Sequence, residues 1–226
     1  MSAPEPVRVV IAEDHALYRE LLADHLRHQG VDVVAETADA VRLRQAVRAT
    51  RPDVAVVDIR LPPGPGPAGL HAAVEIRREH PEVGVLLLSQ YVETEFFTTL
   101  VAGGLHRVGY LLKERVSGKD GFVTAVRRIA AGGCVVDPEI SARLLDGRPH
   151  GVRPLAGLTD RPAEVLALIA DGLSNSAIAA RLGITAGTVE THARAVYQEL
   201  GISDERDNHQ RVLAVLMFWR ARQDRA

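Results

Sequence analysis

Val54–Ser89 reads VAVVDIRLPPGPGPAGLHAAVEIRREHPEVGVLLLS, and the order of its parts decides the fold. It opens on the continuous apolar run Val54–Val57 and closes on another, Val85–Leu88. Short runs without polar alternation are what strands buried on both faces require. Between them a helical pattern spans roughly Gly69–His80, reached across the stiff loop Pro62–Pro67 (PPGPGP). Strand, helix and strand in this order predict a parallel crossover unit.

The same alternation continues on both sides. Upstream, Val7–Ile11 and Val31–Ala35 read as strands. Leu17–His28, with Leu17, Leu21, Leu22 and Leu26 at helical spacing, and Ala40–Ala49 read as helices. Downstream come a helix near Glu93–Ala102, a strand Val108–Leu112 and a helix Gly121–Ala131. The pattern predicts an α/β domain: an open, doubly wound, five-stranded parallel sheet with helices on both faces. Gly132-Gly133 reads as a helix terminator, and Cys134 as a small buried hydrophobe. Asp146–Gly157 (DGRPHGVRPLAG) lacks periodicity and reads as a linker. After it the pattern is all helical, with four helices at about 160–171, 175–182, 186–200 and 208–222. Thr159, Ser174 and Thr185 stand where N-caps want a hydroxyl, and Gly172, Gly183 and Gly201 where helix ends want glycine. The expected organisation is a first domain at 1–145, a linker at 146–157 and a small all-α domain at 158–226.

Composition narrows the function. The 226 residues are 46% hydrophobic and 25% charged, with formal net charge −2, so no overall basic field points to nucleic acid or membrane. No signal peptide or membrane-spanning run is visible, and Cys134 is the single cysteine, which together predict a cytoplasmic protein. Phosphate-loop, dinucleotide and nucleophile-elbow motifs are absent. His25 and His28 lack a third metal-ligating partner and read as a solvated face. Only two lysines occur, Lys113 and Lys119. Arginine cannot replace a compact point charge in a tight site, so each lysine invites a reason.

In an open parallel sheet, ligands bind beyond the carboxyl ends of the strands. Glu13 and Asp14 follow the first strand, Asp58 ends the third, Ser89 follows the fourth and Lys113 the fifth. Crowded carboxylates call for a cation, and oxygen donors suit Mg²⁺. A carboxylate can attack phosphorus to form an aspartyl-phosphate, which assigns Asp58 as phosphoacceptor. Lys113 would pair with the phosphoryl group and Ser89 would hydrogen-bond one of its oxygens.

These five residues stand in the order of the response-regulator receiver family, which residues 7–132 resemble. The resemblance implies a flavodoxin-like sheet and gives Tyr110 the role of an aromatic switch. It also makes the backbone carbonyl of Arg60 a metal ligand beside Glu13, Asp14 and Asp58. A sensor histidine kinase would be the phosphodonor. Two stretches, Asp58–Leu70 and Gly103–Gly109, are longer than the family's usual pattern and flank the site.

In the second domain, Ser174–Leu200 reads as two helices joined by a short turn containing Gly183. Ala179 is small where the helices approach, and Val189 is expected between them. With the preceding LTDRPAEVLALIADG, residues 158–221 resemble LuxR-type DNA-binding domains; joined to a receiver, they resemble the NarL/FixJ class. The resemblance implies a transcription factor whose second helix enters the major groove of paired promoter half-sites. Thr188, Thr191, His192 and Arg194 become candidate base contacts, and Asn175 and Thr185 candidate phosphate contacts. Residues 158–226 hold eight Arg against nine Asp and Glu, a net −1, so binding should be weak without specific contacts and should need a homodimer formed on activation. Val212, Leu213, Val215, Leu216, Phe218 and Trp219 on the last helix would fill the core or serve that dimer. Two other classes remain open at this point. A phospho-switched adaptor without DNA binding would explain the missing basic charge, and a Mg²⁺-dependent phosphatase would also use an acidic rim.

Overall fold

The continuous apolar runs become buried strands. In the structure, a computed structural model that describes residues 5–102, 104–116, 121–145, 157–202 and 207–223, six strands lie parallel in one sheet. They are β1 (Arg8–Ala12), β2 (Asp32–Thr37), β3 (Val54–Asp58), β4 (Gly84–Ser89), β5 (Val108–Leu112) and β6 (Cys134–Val136), in the spatial order β2-β1-β3-β4-β5-β6. Every residue of β3, β4 and β5 is buried, as their unbroken apolar character predicts.

The sixth strand corrects the expected count of five. Cys134, Val135 and Val136 pair with Val108, Gly109 and Tyr110, directly after the Gly132-Gly133 break. A run of three residues is too short to show a period, which is why only Cys134 stands out there, as a small buried hydrophobe.

Helices α1 (Ala16–His28), α2 (Ala40–Thr50), α3 (Ala68–Glu79), α4 (Thr94–Val101), α5 (Lys113–Val116) and α6 (Gly121–Ala130) flank the sheet. Leu22, Ala23 and Leu26 of α1 and Phe122, Val126 and Ile129 of α6 pack with Val9, Ile11, Val54, Val56, Leu86 and Leu88 on one face. Alternation along the strands sends Val10, Ala55, Val57 and Leu87 to the other face, which α2, α3 and α4 cover. On α1 the four leucines do not act alike. Leu22 and Leu26 are fully buried, whereas Leu17 is 73% and Leu21 55% exposed.

The chain divides into two compact units, 1–103 with 107–137 and 104–106 with 138–226. Helix α7 (Pro138–Leu145) belongs to the second, where it packs on α11 (Asp207–Gln223). The rest of that unit is α8 (Asp160–Ala170), α9 (Asn175–Leu182) and α10 (Ala186–Glu199). The expected linker, Gly157 excepted, lies outside the described residues, as does the side chain of Trp219. Val212, Leu213, Val215 and Leu216 of α11 are buried within the unit. Among the described residues no helix is long and apolar enough to cross a membrane.

Complete burial of Cys134 pushes its thiol from the ordinary 9.0 up to about 12. The unfolded chain therefore ionises this group first. Its contribution to stability is present below pH 9 and is lost as the pH rises toward 12. At pH 8 the folded protein is expected to react with a thiol reagent at least about a thousandfold more slowly than the urea-unfolded chain. Equal rates would show that β6 does not hold Cys134 inside.

Candidate functional site

The strand ends deliver the expected residues to one place. Glu13, Asp14, Asp58, Ser89 and Lys113 line a single cavity of ≈ 660 Å³ at the carboxyl edge of the sheet, together with His15, Tyr18, Ile59, Arg60 and Gln90. One carboxylate oxygen from each of Glu13, Asp14 and Asp58 lies within 4.8 Å of the others. Glu13 and Asp58 are buried, and Asp14 is exposed at the mouth.

Lys113 opens α5 and turns back over the cavity. Its Nζ lies 2.8 Å from Glu13 Oε2 and 3.0 Å from Asp58 Oδ2. Burial pushes the Glu13 carboxyl above its ordinary range; the hydrogen bond from Lys113 opposes this, and the Asp58 charge adds to it. Burial alone would lower the Lys113 ammonium. The Glu13 hydrogen bond and the charges of Asp58 and Glu13 outweigh that and hold it above the ordinary lysine range. The ammonium is therefore a fixed positive charge between two carboxylates.

Tyr18, in the first turn of α1, was not among the expected site residues. Its hydroxyl donates to the Lys113 carbonyl at 3.1 Å, and its ring centroid lies 5.1 Å from Lys113 Nζ. Burial, then the charges of Glu13 and Asp58, push its phenol up to about 12, so it is a hydrogen-bond donor at neutral pH. The only sequence signal was an aromatic residue one helical turn past Asp14.

Ser89 and Tyr110 meet at one acceptor. Ser89 Oγ donates to the Tyr91 carbonyl at 2.8 Å, and the Tyr110 hydroxyl reaches the same oxygen at 3.2 Å. Tyr110 is fully buried, edge-on to Phe97 with ring centroids 6.2 Å apart. Arg60 presents its backbone N–H toward Asp58 Oδ1 at 3.4 Å, a long contact. Its guanidinium pairs instead with Glu93 at 2.6 Å.

The second unit bears its own candidate surface. Ser174 Oγ accepts from Ala177 N at 3.2 Å, and Thr185 Oγ1 from Thr188 N at 3.1 Å, so both hydroxyl caps form. Thr159 stands at the N-cap of α8 without a side-chain cap bond. Gly183 takes the left-handed conformation, φ 66°, that ends α9 and aims α10. Ile178, Ala179, Val189 and Val196 are buried between the helices. The expected contact residues all lie on α10 or at the starts of α9 and α10, yet most are engaged locally. The Thr185 and Thr188 hydroxyls share a hydrogen bond of 2.8 Å. Thr191 donates to the Gly187 carbonyl at 3.0 Å, and Arg194 pairs with Glu190 at 2.6 Å. Asn175 Oδ1 accepts from Arg211 at 2.8 Å, an anchor that sequence spacing did not reveal. His192 is half-buried.

Because Glu190 holds Arg194, Glu190→Gln should free that guanidinium and remove one negative charge from α10. DNA affinity at low salt is expected to rise about three- to tenfold. An unchanged affinity in a fluorescence-anisotropy titration would show that the Glu190 pairing does not restrain Arg194 at the DNA.

Each unit resembles a known domain. The sequence profile of the response regulator receiver domain matches residues 9–119, and that of the bacterial regulatory proteins of the luxR family matches residues 156–212. The chain is 37% identical over 203 residues to the probable transcriptional regulatory protein NarL of Mycobacterium tuberculosis, covering 89% of this chain and 91% of that protein. It is 32% identical over 209 residues to the oxygen regulatory protein NreC of Staphylococcus epidermidis, covering 88% and 93%. Among solved structures, the response regulator ChrA of a heme-sensing two-component system is 28% identical, with 98% of each chain covered and a TM-score of 0.50. The RcsB response regulator of Salmonella typhimurium, 21% identical with 96% of this chain and 98% of that chain covered and a TM-score of 0.53, shares the fold. The chain belongs to the two-component response regulators of the NarL/FixJ class, DNA-binding regulators that join a receiver domain to a LuxR-type helix-turn-helix domain. Receiver domains bind Mg²⁺ at an acidic pocket, and the Glu13, Asp14 and Asp58 cluster has the all-oxygen donor set that suits such a hard cation.

Proposed function

We propose that this regulator is switched by phosphorylation of Asp58 and that its phosphorylated form binds paired promoter half-sites as a homodimer. One observation carries the reading: the Lys113 ammonium stands within 3.0 Å of the Asp58 carboxylate, at the wall of a cavity large enough for a phosphoryl group. The donor is the phosphohistidine of a sensor kinase in the cytoplasm. The new P–O bond forms at an Asp58 carboxylate oxygen as the donor's P–N bond breaks. Glu13, Asp14, Asp58 and the Arg60 backbone carbonyl would hold Mg²⁺, which when bound supplies positive charge against the phosphoryl oxygens. Lys113 exchanges its pairing with Asp58 for pairing with the transferred group. Ser89 turns its hydroxyl toward a phosphoryl oxygen and releases the Tyr91 carbonyl, which Tyr110 then holds alone. Tyr110 thereby reads the state of Ser89, 21 residues away in sequence but on the neighbouring strand. Self-transfer and slow hydrolysis of the aspartyl-phosphate are the only chemistry assigned.

Thr188, Thr191, His192 and Arg194 are the base contacts in this reading, with Asn175 and Thr185 at phosphates. A second reading, a phospho-switched adaptor that binds protein, is favoured by the Arg194–Glu190 pair, which leaves α10 without a net positive charge. Selection of bound fragments from random DNA, with and without beryllium fluoride plus Mg²⁺, separates the two. Enrichment of a paired motif only with the phosphoryl mimic is the expected result. Enrichment in both states would keep the DNA reader and remove the switch. No enrichment in either state would favour the adaptor.

A further inference from the structure

We infer that Tyr18 is a positioning residue for phosphoryl transfer: its ring face supports the Lys113 ammonium while its hydroxyl fixes the Lys113 main chain. The inference rests on the phosphorylation reading of the cavity and adds a residue that reading does not use.

A lysine delivers its charge on a long flexible stem, so its ammonium needs walls to hold one position. Two walls are carboxylates, Glu13 at 2.8 Å and Asp58 at 3.0 Å. The third is the Tyr18 ring, 5.1 Å from Nζ to the centroid and within the range where a cation is drawn to a ring face. The Tyr18 hydroxyl meanwhile donates to the Lys113 carbonyl at 3.1 Å, so one side chain holds both ends of the lysine. Tyr18 is itself placed by the start of α1, where its N–H donates to His15 Nδ1 at 3.3 Å, and by packing against the core of the first unit.

The chemistry of the third wall matters. Another carboxylate there would compete with the phosphoryl group for the ammonium. A ring face has no strong directional bond to break, so Lys113 can turn from Asp58 to an incoming phosphoryl oxygen and keep its support. A ring also keeps water from that side of the ammonium, where an aliphatic side chain would supply bulk without the attraction.

The chain contains only two lysines, Lys113 and Lys119, so full-length protein labelled with ¹³C-ε-lysine gives two ε-methylene signals. Lys119→Arg assigns them. In wild type without Mg²⁺ or phosphodonor, the Lys113 signal is expected upfield from the ring current of Tyr18. Tyr18→Phe should keep that shift, and Tyr18→Leu and Tyr18→Met should both lose it. With acetyl phosphate and Mg²⁺, phosphoryl uptake should slow roughly tenfold in the Leu and Met variants and stay within about threefold of wild type in the Phe variant. A Lys113 signal that is unshifted in wild type, or that keeps its shift in Leu and Met, overturns the inference. Equal slowing of Phe, Leu and Met also overturns it, because the ring would then contribute nothing. If wild type takes up no phosphoryl group at all, the phosphorylation reading fails, and the lysine spectrum alone still decides whether Tyr18 holds Lys113.

Discussion

Asp58→Ala is expected to fold and to take up no phosphoryl group from any donor. In the metal-free protein Glu13, Asp14 and Asp58 crowd within 4.8 Å, offset by the single ammonium of Lys113. Removing Asp58 leaves Lys113 its 2.8 Å pairing with Glu13 and takes away a charge that helps raise the Glu13 carboxyl. The variant should therefore match or slightly exceed wild type in thermal stability without metal. Millimolar Mg²⁺ should stabilise wild type and do so less in the variant, since a cation that binds only the folded state adds stability that grows with the logarithm of its affinity. Phosphoryl stoichiometry by phosphate-affinity electrophoresis and melting with and without Mg²⁺ check both halves. Labelling of Asp58→Ala at the wild-type stoichiometry would falsify the assignment of Asp58.

The parts of this site that the sequence disclosed are those that strand ends dictate. Asp58, Ser89 and Lys113 close or follow β3, β4 and β5, and a parallel sheet sends all such ends to one edge. Periodicity located the strands because their apolar runs are unbroken. It could not tell which way a ring points. By spacing Tyr18 is therefore one more residue of α1, and Leu17 and Leu21 share the helical spacing of Leu22 and Leu26 although both are exposed. The second unit shows the same division. Ala179, Gly183 and Val189 were legible because close packing and a left-handed turn demand small, glycine and apolar residues in that order. The Glu190–Arg194 pair follows the helical i, i+4 rule and is legible in the expected helix at 186–200. The Arg211–Asn175 bond joins residues from different helices, and no local pattern encodes it. Helix α7 was missed for a simpler reason. Its eight residues follow directly on β6, a strand that was itself too short to be seen.

Gly69→Ala should damage the fold and the phosphoacceptor together. A Cβ at this position would overlap the Asp58 carbonyl oxygen and stand 2.9 Å from the Asp58 carbonyl carbon and 3.0 Å from the Ile59 oxygen. All three are backbone atoms at the end of β3, so no side-chain rotation relieves the clash. Gly69 N–H also donates to the Ile59 carbonyl at 3.0 Å, which ties the start of α3 flat against the strand that carries Asp58. Relief requires α3 to withdraw or the Asp58 peptide to move by about an ångström. Overpacking of this kind costs about 3 kcal/mol. A shift of that size at a reacting carboxylate is expected to slow phosphoryl uptake by about a hundredfold. Gly121→Ala is the control: nothing lies within 4 Å of its added carbon, and it sits in α6, where alanine should be neutral or stabilise by up to about 1 kcal/mol. Urea melts and uptake rates on the two variants separate a local clash from a general effect of adding a methyl group. If Gly69→Ala unfolds at the wild-type urea concentration and takes up phosphoryl at the wild-type rate, α3 does not press on Asp58, and the loop through Pro62–Pro67 sets the helix farther from the strand than this packing requires.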